Sequence, residues 1–149
     1  MEKVNILDIS LFSNDIKFQI VGQLKPHIVD FILDKKPEFK GRLDSTTDIL
    51  FWKERIKHTE RHKKDFQSDE EFYKCLEEIP LIIESPDYIS IHPKDESVSF
   101  IKDYSRHISV AIRVSLDGKL SYRTMYPLRK SQLENYIKSG RAWKYEEKT

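Results

Sequence analysis

Apolar residues recur at every second position through much of the stretch from 88 to 126, a period that is typical of half-buried β-strands. Turn-forming residues divide this stretch into four predicted strands, at 88–92, 98–104, 108–115 and 120–126. Short connections favour antiparallel pairing between neighbours. The sequence therefore predicts an α+β fold built on a four-stranded antiparallel β-meander.

Helical patterns dominate the residues before this sheet. The segment 48–67 is predicted to be one helix, with Asp48 as its N-cap and with Trp52 and Ile56 as an apolar pair four positions apart. The other predicted elements are a strand at 16–21, helices at 26–33 and 68–79, a further turn at 81–83 and a short C-terminal helix opening with a capping box at 131–134. We expect the N-terminal helices to pack on the sheet.

Size and composition restrict the class of protein. A chain of 149 residues is enough for one core, so a single domain over 1–149 is expected. The charges of the 26 basic and 25 acidic residues nearly cancel, so any electrostatic attraction to nucleic acid must come from local clustering of positive charge. The single cysteine, Cys75, permits no internal disulfide, and neither a signal peptide nor a long apolar span is evident. These features predict a soluble, cytoplasmic protein that needs no membrane.

The strongest turn signal, Asp117-Gly118, sets an expected register for the last two strands. A two-residue type I′ turn would pair Arg113 with Tyr122 and Ala111 with Thr124. One face would then be apolar, and the other would gather a polar set, Ser109, Arg113, Tyr122, Thr124 and Tyr126. That set is suited to binding a phosphate, although a solvated sheet face has a similar composition.

On the predicted helix at 48–67, Arg55, His58 and His62 share one stripe. Two histidines four positions apart can ligate a metal, but the zinc-protease pattern needs glutamate directly after the first histidine, where this chain has Thr59. Alternatively, they can take and give the two protons that RNA transesterification requires, with no metal. A third interpretation is a solvated basic helix, since Arg61 and several lysines lie nearby. Spacing alone leaves these alternatives open.

Lys102 is a further candidate because of its position in a predicted strand. It shares parity with Val98 and Phe100, so its stem should be partly covered while its ammonium reaches outward. Such a lysine could hold a phosphate or could simply extend to solvent.

Four short motifs occur in an order that resembles a known family. They are His58-Thr59-Glu60-Arg61-His62, the IIESPDYI run at 82–89, Phe100-Ile101-Lys102 and Thr124-Met125-Tyr126. Their order resembles the phage-encoded branch of the Barnase/EndoU/colicin/RelE-like nucleases, known as PBECR domains. The resemblance covers about 21–126, the expected core of the domain.

The resemblance implies a BECR-like fold and a metal-independent endoribonuclease that needs no cofactor. Such enzymes are commonly toxins, which implies RNA, possibly tRNA, as the substrate and an antitoxin or immunity protein as a partner. The catalytic set that it implies is His58, His62, Lys102, Thr124 and Tyr126. To these the stripe and the hairpin count add Arg55, Arg61, Arg113 and Tyr122 as candidates for substrate binding. A non-catalytic RNA- or protein-binding module on the same fold is the alternative, and which histidine is acid or base stays open.

Overall fold

The computed structural model describes residues 2–146, and over these residues the chain forms seven strands and five α-helices. The strands are β1 (Phe18–Gly22), β2 (Ile49–Trp52), β3 (Tyr88–Ile91), β4 (Ser97–Asp103), β5 (His107–Val114), β6 (Leu120–Leu128) and β7 (Ala142–Lys144). The helices are α1 (Pro26–Lys35), α2 (Arg55–Glu60), α3 (Asp69–Glu77), α4 (Ile79–Glu84) and α5 (Lys130–Lys138). Met1 and residues 147–149, which the single-domain prediction includes, lie outside the described residues.

All of these strands belong to one mixed sheet with the order β1-β2-β6-β5-β4-β3-β7. Strands β3 to β6 form the predicted antiparallel meander, and β2 pairs in parallel with β6. The prediction of an α+β fold on an antiparallel meander is therefore confirmed, but the sheet is larger than the four strands expected.

The two faces of the sheet are covered to different extents. On the core face, α1, α3 and α4 pack over large apolar side chains such as Phe100, Val110 and Met125. On the second face, which carries Ser99, Ala111 and Thr124, a smaller apolar cluster forms beneath α5. The second face is therefore covered by fewer apolar side chains than the core face. Within the described part of the chain, no helix has the length and apolarity to span a bilayer.

The predicted helix at 48–67 is wrong in its first part. Residues Ile49–Trp52 form β2, because Ile49 and Phe51 are fully buried and alternate with the more exposed Leu50 and Trp52. The helix begins only at Arg55 and ends at Glu60, and a 3₁₀ turn follows at Lys63–Asp65. The apolar pair Trp52 and Ile56 thus marks the junction of a strand and a helix.

The two remaining helix starts differ in how well the sequence predicted them. Ser68 caps α3 by accepting a hydrogen bond from the backbone N–H of Glu71 at 3.1 Å, as expected. The capping box predicted at 131–134 is wrong, because α5 begins at Lys130 and the Gln132 side chain accepts from the Arg129 N–H at 3.0 Å. Beyond α5, the short strand β7 was not predicted.

The β5–β6 hairpin departs from the predicted register in two places. Ser115 and Lys119 flank a three-residue loop in which Gly118 has a left-handed φ of +86°, so the predicted two-residue turn is wrong. Arg113 therefore faces Ser121, and Tyr122 faces Ile112 on the core face. A β-bulge then adds one residue to β6, which restores the predicted pairing of Ala111 with Thr124.

Candidate active site

Helix α2 lies beside the part of β6 that β2 leaves unpaired. β2 pairs with β6 only at Ile49–Leu120 and Leu50–Ser121, and α2 packs against β6 beyond that point. The helix thereby covers an otherwise open strand edge.

Two side chains of α2 fix its position on β6. The Arg55 guanidinium donates to the backbone carbonyl of Arg123, with Nε at 3.0 Å. Thr59, which is fully buried, shares a hydrogen bond of 2.7 Å with the Tyr122 hydroxyl. These bonds join α2 to the bulge residue Arg123 and to Tyr122 just before it, so the helix cannot shift along the strand without breaking them.

The histidine pair predicted from spacing lies at this seam. The ring centres of His58 and His62 are 6.2 Å apart, and the His62 ring is 5.9 Å from that of Tyr126. Nδ1 of His62 is 3.4 Å from a carboxylate oxygen of Asp65, so Nε2 is the nitrogen that a substrate can use. The histidine stripe and the second face of the sheet therefore meet at Tyr126.

A cleft of about 540 Å³ opens beside His58. Its charged lining consists of three arginines and three acidic residues, which are Arg55, Arg113, Arg123, Glu54, Asp95 and Glu96. Arg123 forms an ion pair with Asp95, which follows β3 in the loop to β4. An anion that enters this cleft would meet the guanidinium groups of Arg113 and Arg123 beside His58.

Burial lowers the pKa of His58, and the positive charges of Arg55 and Arg61 lower it further. Contributions in the same direction come from His62 and Arg123. A histidine whose pKa lies below the usual value of about 6.5 is mostly neutral at pH 7. His58 can therefore accept a proton under physiological conditions.

Thr124 and Tyr126 follow the bulge on the second face of the sheet. Thr124 Oγ1 is buried and has no hydrogen-bond partner within residues 2–146. Burial is also the main cause that raises the pKa of Tyr126, which is hydrogen-bonded to Ser109, so its hydroxyl stays protonated. The Tyr126 ring lies beside His62 and its hydroxyl can donate a hydrogen bond, whereas Thr124 Oγ1 is shielded from solvent.

Two of the predicted residues lie elsewhere. Lys102 is on the core face, opposite Ile108, and its ammonium donates to the carbonyl of Ser85 at 2.6 Å, at the end of α4. Tyr122 is 2% exposed and stacks on Phe51 with ring centres 4.3 Å apart. The structure thus brings together His58, His62 and Tyr126, places Thr124 on the same face of β6 two residues before Tyr126, and separates Lys102 from them. Arg55 and Arg113 line the cleft, and Arg61 is an exposed neighbour of His58.

Sequence reasoning missed Arg123 and Asp95. The predicted register places Arg123 opposite buried Ile112, on the apolar face of the sheet, where an unpaired guanidinium is costly. This conflict is visible in the sequence and points to an irregularity in β6. Asp95 lies in a loop, and no periodic pattern identifies it.

Within residues 2–146, no three side chains of His, Cys, Asp or Glu are grouped so that they could hold a metal ion.

A histidine pair next to a cleft that contains arginine side chains is suited to acid–base cleavage of phosphodiesters, which is the chemistry of nucleases. The chain belongs to the PBECR3 family, the phage-Barnase-EndoU-ColicinE5/D-RelE like nuclease 3 domains, whose model matches residues 30–135. The resemblance inferred from the motifs is therefore confirmed. No curated protein and no solved structure gives a significant match.

Proposed function

We propose that this nuclease is a metal-independent endoribonuclease that cleaves RNA by attack of a ribose 2′-hydroxyl. The observation that carries the proposal is the pair His58 and His62, held 6.2 Å apart beside a cleft that contains Arg113 and Arg123. A nucleophile supplied by the substrate needs only a base, an acid and positive charge at the phosphate.

The proposed reaction uses each of these groups once. Neutral His58 takes the proton of the 2′-hydroxyl, and the 2′-oxygen forms a bond to phosphorus. Charge on the pentacoordinate phosphate is stabilised by the guanidinium groups of Arg113 and Arg123, with a hydroxyl donor from Tyr126. The bond from phosphorus to the 5′-oxygen then breaks, and protonated His62 gives its proton to that oxygen. The products are a 2′,3′-cyclic phosphate and a 5′-hydroxyl.

We further propose that the enzyme is a toxin that acts on tRNA or another RNA in the cytoplasm and is restrained by an antitoxin or immunity protein. Membership of a phage-associated nuclease family supports this proposal. Induction in bacteria should arrest growth, and a His58→Ala chain should not. Equal growth with and without induction of the unchanged chain contradicts the toxin role.

The reaction class can be tested through the substrate alone. In buffer with EDTA, the protein is expected to cleave an RNA oligonucleotide to products that end in 2′,3′-cyclic phosphate. The same oligonucleotide made entirely of 2′-deoxynucleotides, which has no nucleophile, should stay intact. Binding of RNA without cleavage would support a non-catalytic RNA-binding module instead, and cleavage of the deoxy substrate would point to a different nucleophile.

Changing Arg61 should move the pH dependence of cleavage. The acid limb of kcat/KM reports the pKa of the base in the free enzyme, and the charge of Arg61 helps to hold the pKa of His58 below its usual value. In Arg61→Gln that charge is gone, the pKa of His58 rises, and the acid limb should shift to higher pH. Lys138→Gln on α5 removes an exposed charge elsewhere and should leave the limb in place. An unchanged profile in Arg61→Gln would exclude His58 as the base.

A further inference from the structure

A second polar cluster lies at the other end of the β3–β4 loop from the His58 cleft. His92 directly follows β3, and its Nδ1 accepts hydrogen bonds from the backbone N–H groups of Lys94, at 3.1 Å, and Asp95, at 2.9 Å. A ring nitrogen that accepts two N–H bonds carries no proton, so Nε2 is the nitrogen that does. His92 is therefore a fixed, neutral hydrogen-bond donor.

Arg141, which precedes β7, lies near this histidine. Its guanidinium stacks on the Tyr136 ring at 4.0 Å, and its Nε is buried without a hydrogen-bond partner within residues 2–146. Burial lowers the pKa of His92, and the charge of Arg141 is the next largest cause, which places the two groups close together. The negative charge of Asp95 raises the pKa of His92, and the positive charges of Arg123 and Lys36 lower it further.

His92, Arg141 and Tyr136 line a cleft of about 580 Å³. Lys35 and Lys36 contribute positive charge to it, and Glu38 contributes one carboxylate. Lys36 also donates to the backbone carbonyls of His92, at 3.4 Å, and Asp95, at 3.3 Å, which holds the β3–β4 loop in place. Tyr136 and Trp143 supply aromatic surface at the rim. Positive charge beside aromatic rings is the combination that single-stranded nucleic acid favours.

A row of small side chains, of which Ala111 and Ser90 are buried, crosses the second face between the strands that adjoin the two clefts. Thr124, Ala111, Ser99 and Ser90 face one another across β6, β5, β4 and β3. Neighbouring strands lie about 4.8 Å apart, so the row is roughly 14 Å long. The ion pair of Asp95 with Arg123 lies between the clefts. Both residues line the first cleft, and the charges of both influence the pKa of His92 in the second.

We infer that His92 and Arg141 form a second phosphate-binding subsite, which holds another phosphate of the RNA strand whose scissile phosphate lies at His58. The strand would then follow the β3–β4 loop from one cleft to the other, past the ion pair of Asp95 with Arg123. This inference rests on the proposed function, because the proposed reaction defines which phosphate is cleaved at the first cleft. The Nε2–H of His92 and the guanidinium of Arg141 would each donate to the bound phosphate.

Binding of an oligonucleotide that cannot be cleaved tests the subsite directly. For a single-stranded DNA oligonucleotide, the slope of log Kd against log salt concentration reports the number of phosphates neutralised, at about 0.7 per phosphate. Arg141→Gln should reduce this slope by about 0.7, whereas Arg141→Lys, which keeps the charge, should preserve it. Arg129→Gln removes an exposed arginine outside both clefts and is the matched control, with no change expected.

Cleavage of two RNA substrates separates the subsite from the catalytic groups. A dinucleotide has one phosphodiester and cannot fill both clefts, whereas a longer oligonucleotide can. Arg141→Gln should therefore lower kcat/KM roughly tenfold for the oligonucleotide and leave the dinucleotide unaffected. An unchanged salt slope, or an equal loss on both substrates, would overturn the subsite. If the unchanged protein cleaves neither RNA, the proposed function fails, and the salt slope still decides whether Arg141 binds a phosphate.

Discussion

The His58→Ala variant is expected to cleave RNA about a hundred to ten thousand times more slowly than the unchanged protein, which is the usual contribution of a general base. The imidazole of His58 lies in the cleft with Arg113 and Arg123, and its pKa is lowered by burial and by neighbouring positive charge, so it is neutral and able to accept the 2′-hydroxyl proton. Single-turnover cleavage of an RNA oligonucleotide in EDTA measures the effect on the chemical step.

His27→Ala is the matched control for this variant. His27 is exposed on α1, which packs on the core face, so its loss should leave the rate unchanged. His62→Ala should be impaired to a similar degree, and because both histidines act in one step, the double variant should lose little beyond the worse single variant. Full activity in His58→Ala with an unchanged thermal midpoint would rule out its role as the base.

Tyr122→Ala is expected to lower the free energy of unfolding by about 3 to 5 kcal/mol, the range typical of removing a buried aromatic ring. The ring is 2% exposed and stacks on Phe51, and its hydroxyl is hydrogen-bonded to the fully buried Thr59. Urea or guanidinium denaturation measures the loss. The variant should unfold at lower denaturant concentration whether or not the protein cleaves RNA.

A comparison with Tyr122→Phe divides this effect into its parts. That variant keeps the stacked ring but leaves the Thr59 hydroxyl without its partner, which should cost about 1 to 3 kcal/mol. If Tyr122→Ala instead weakened RNA binding and left stability unchanged, Tyr122 would lie on the second face, as the two-residue turn predicts.

The sequence predicted the meander because the period of two is sustained there and each strand has one face in the core. It did not predict β2, since a strand of four residues followed at once by a helix produces an apolar pair at helical spacing, Trp52 and Ile56. β7 has only three residues and pairs with β3 at the edge of the sheet, so its pattern is too short to detect. Short strands that depend on a neighbour for pairing have little signal of their own.

The candidate site was predictable where it depends on local spacing. His58 and His62 come together because the chain continues in a helical turn beyond α2, where the His62 N–H donates to the Thr59 carbonyl at 2.9 Å. Thr124 and Tyr126 were placed on the correct face because the error in the turn is cancelled by the bulge. The bulge positions Arg123. Loop residues just outside the strands supply the others, which are Asp95, His92 and Arg141. Their positions depend on tertiary contacts that no period in the sequence encodes.

The bulge in β6 also restricts how this hairpin can pair. A two-residue turn at Asp117-Gly118 without a bulge would leave the pairing of Ala111 with Thr124 intact, so the two registers differ only between 112 and 123. In the observed register Tyr122 lies on the core face and Arg123 does not, whereas in the alternative register Arg123 would lie on the core face and Tyr122 on the second face. The charge of Arg123 therefore selects one register, because the alternative would bury it. An apolar residue at position 123 would remove this preference, and the burial of Tyr122 against Phe51 would then have to select the register alone.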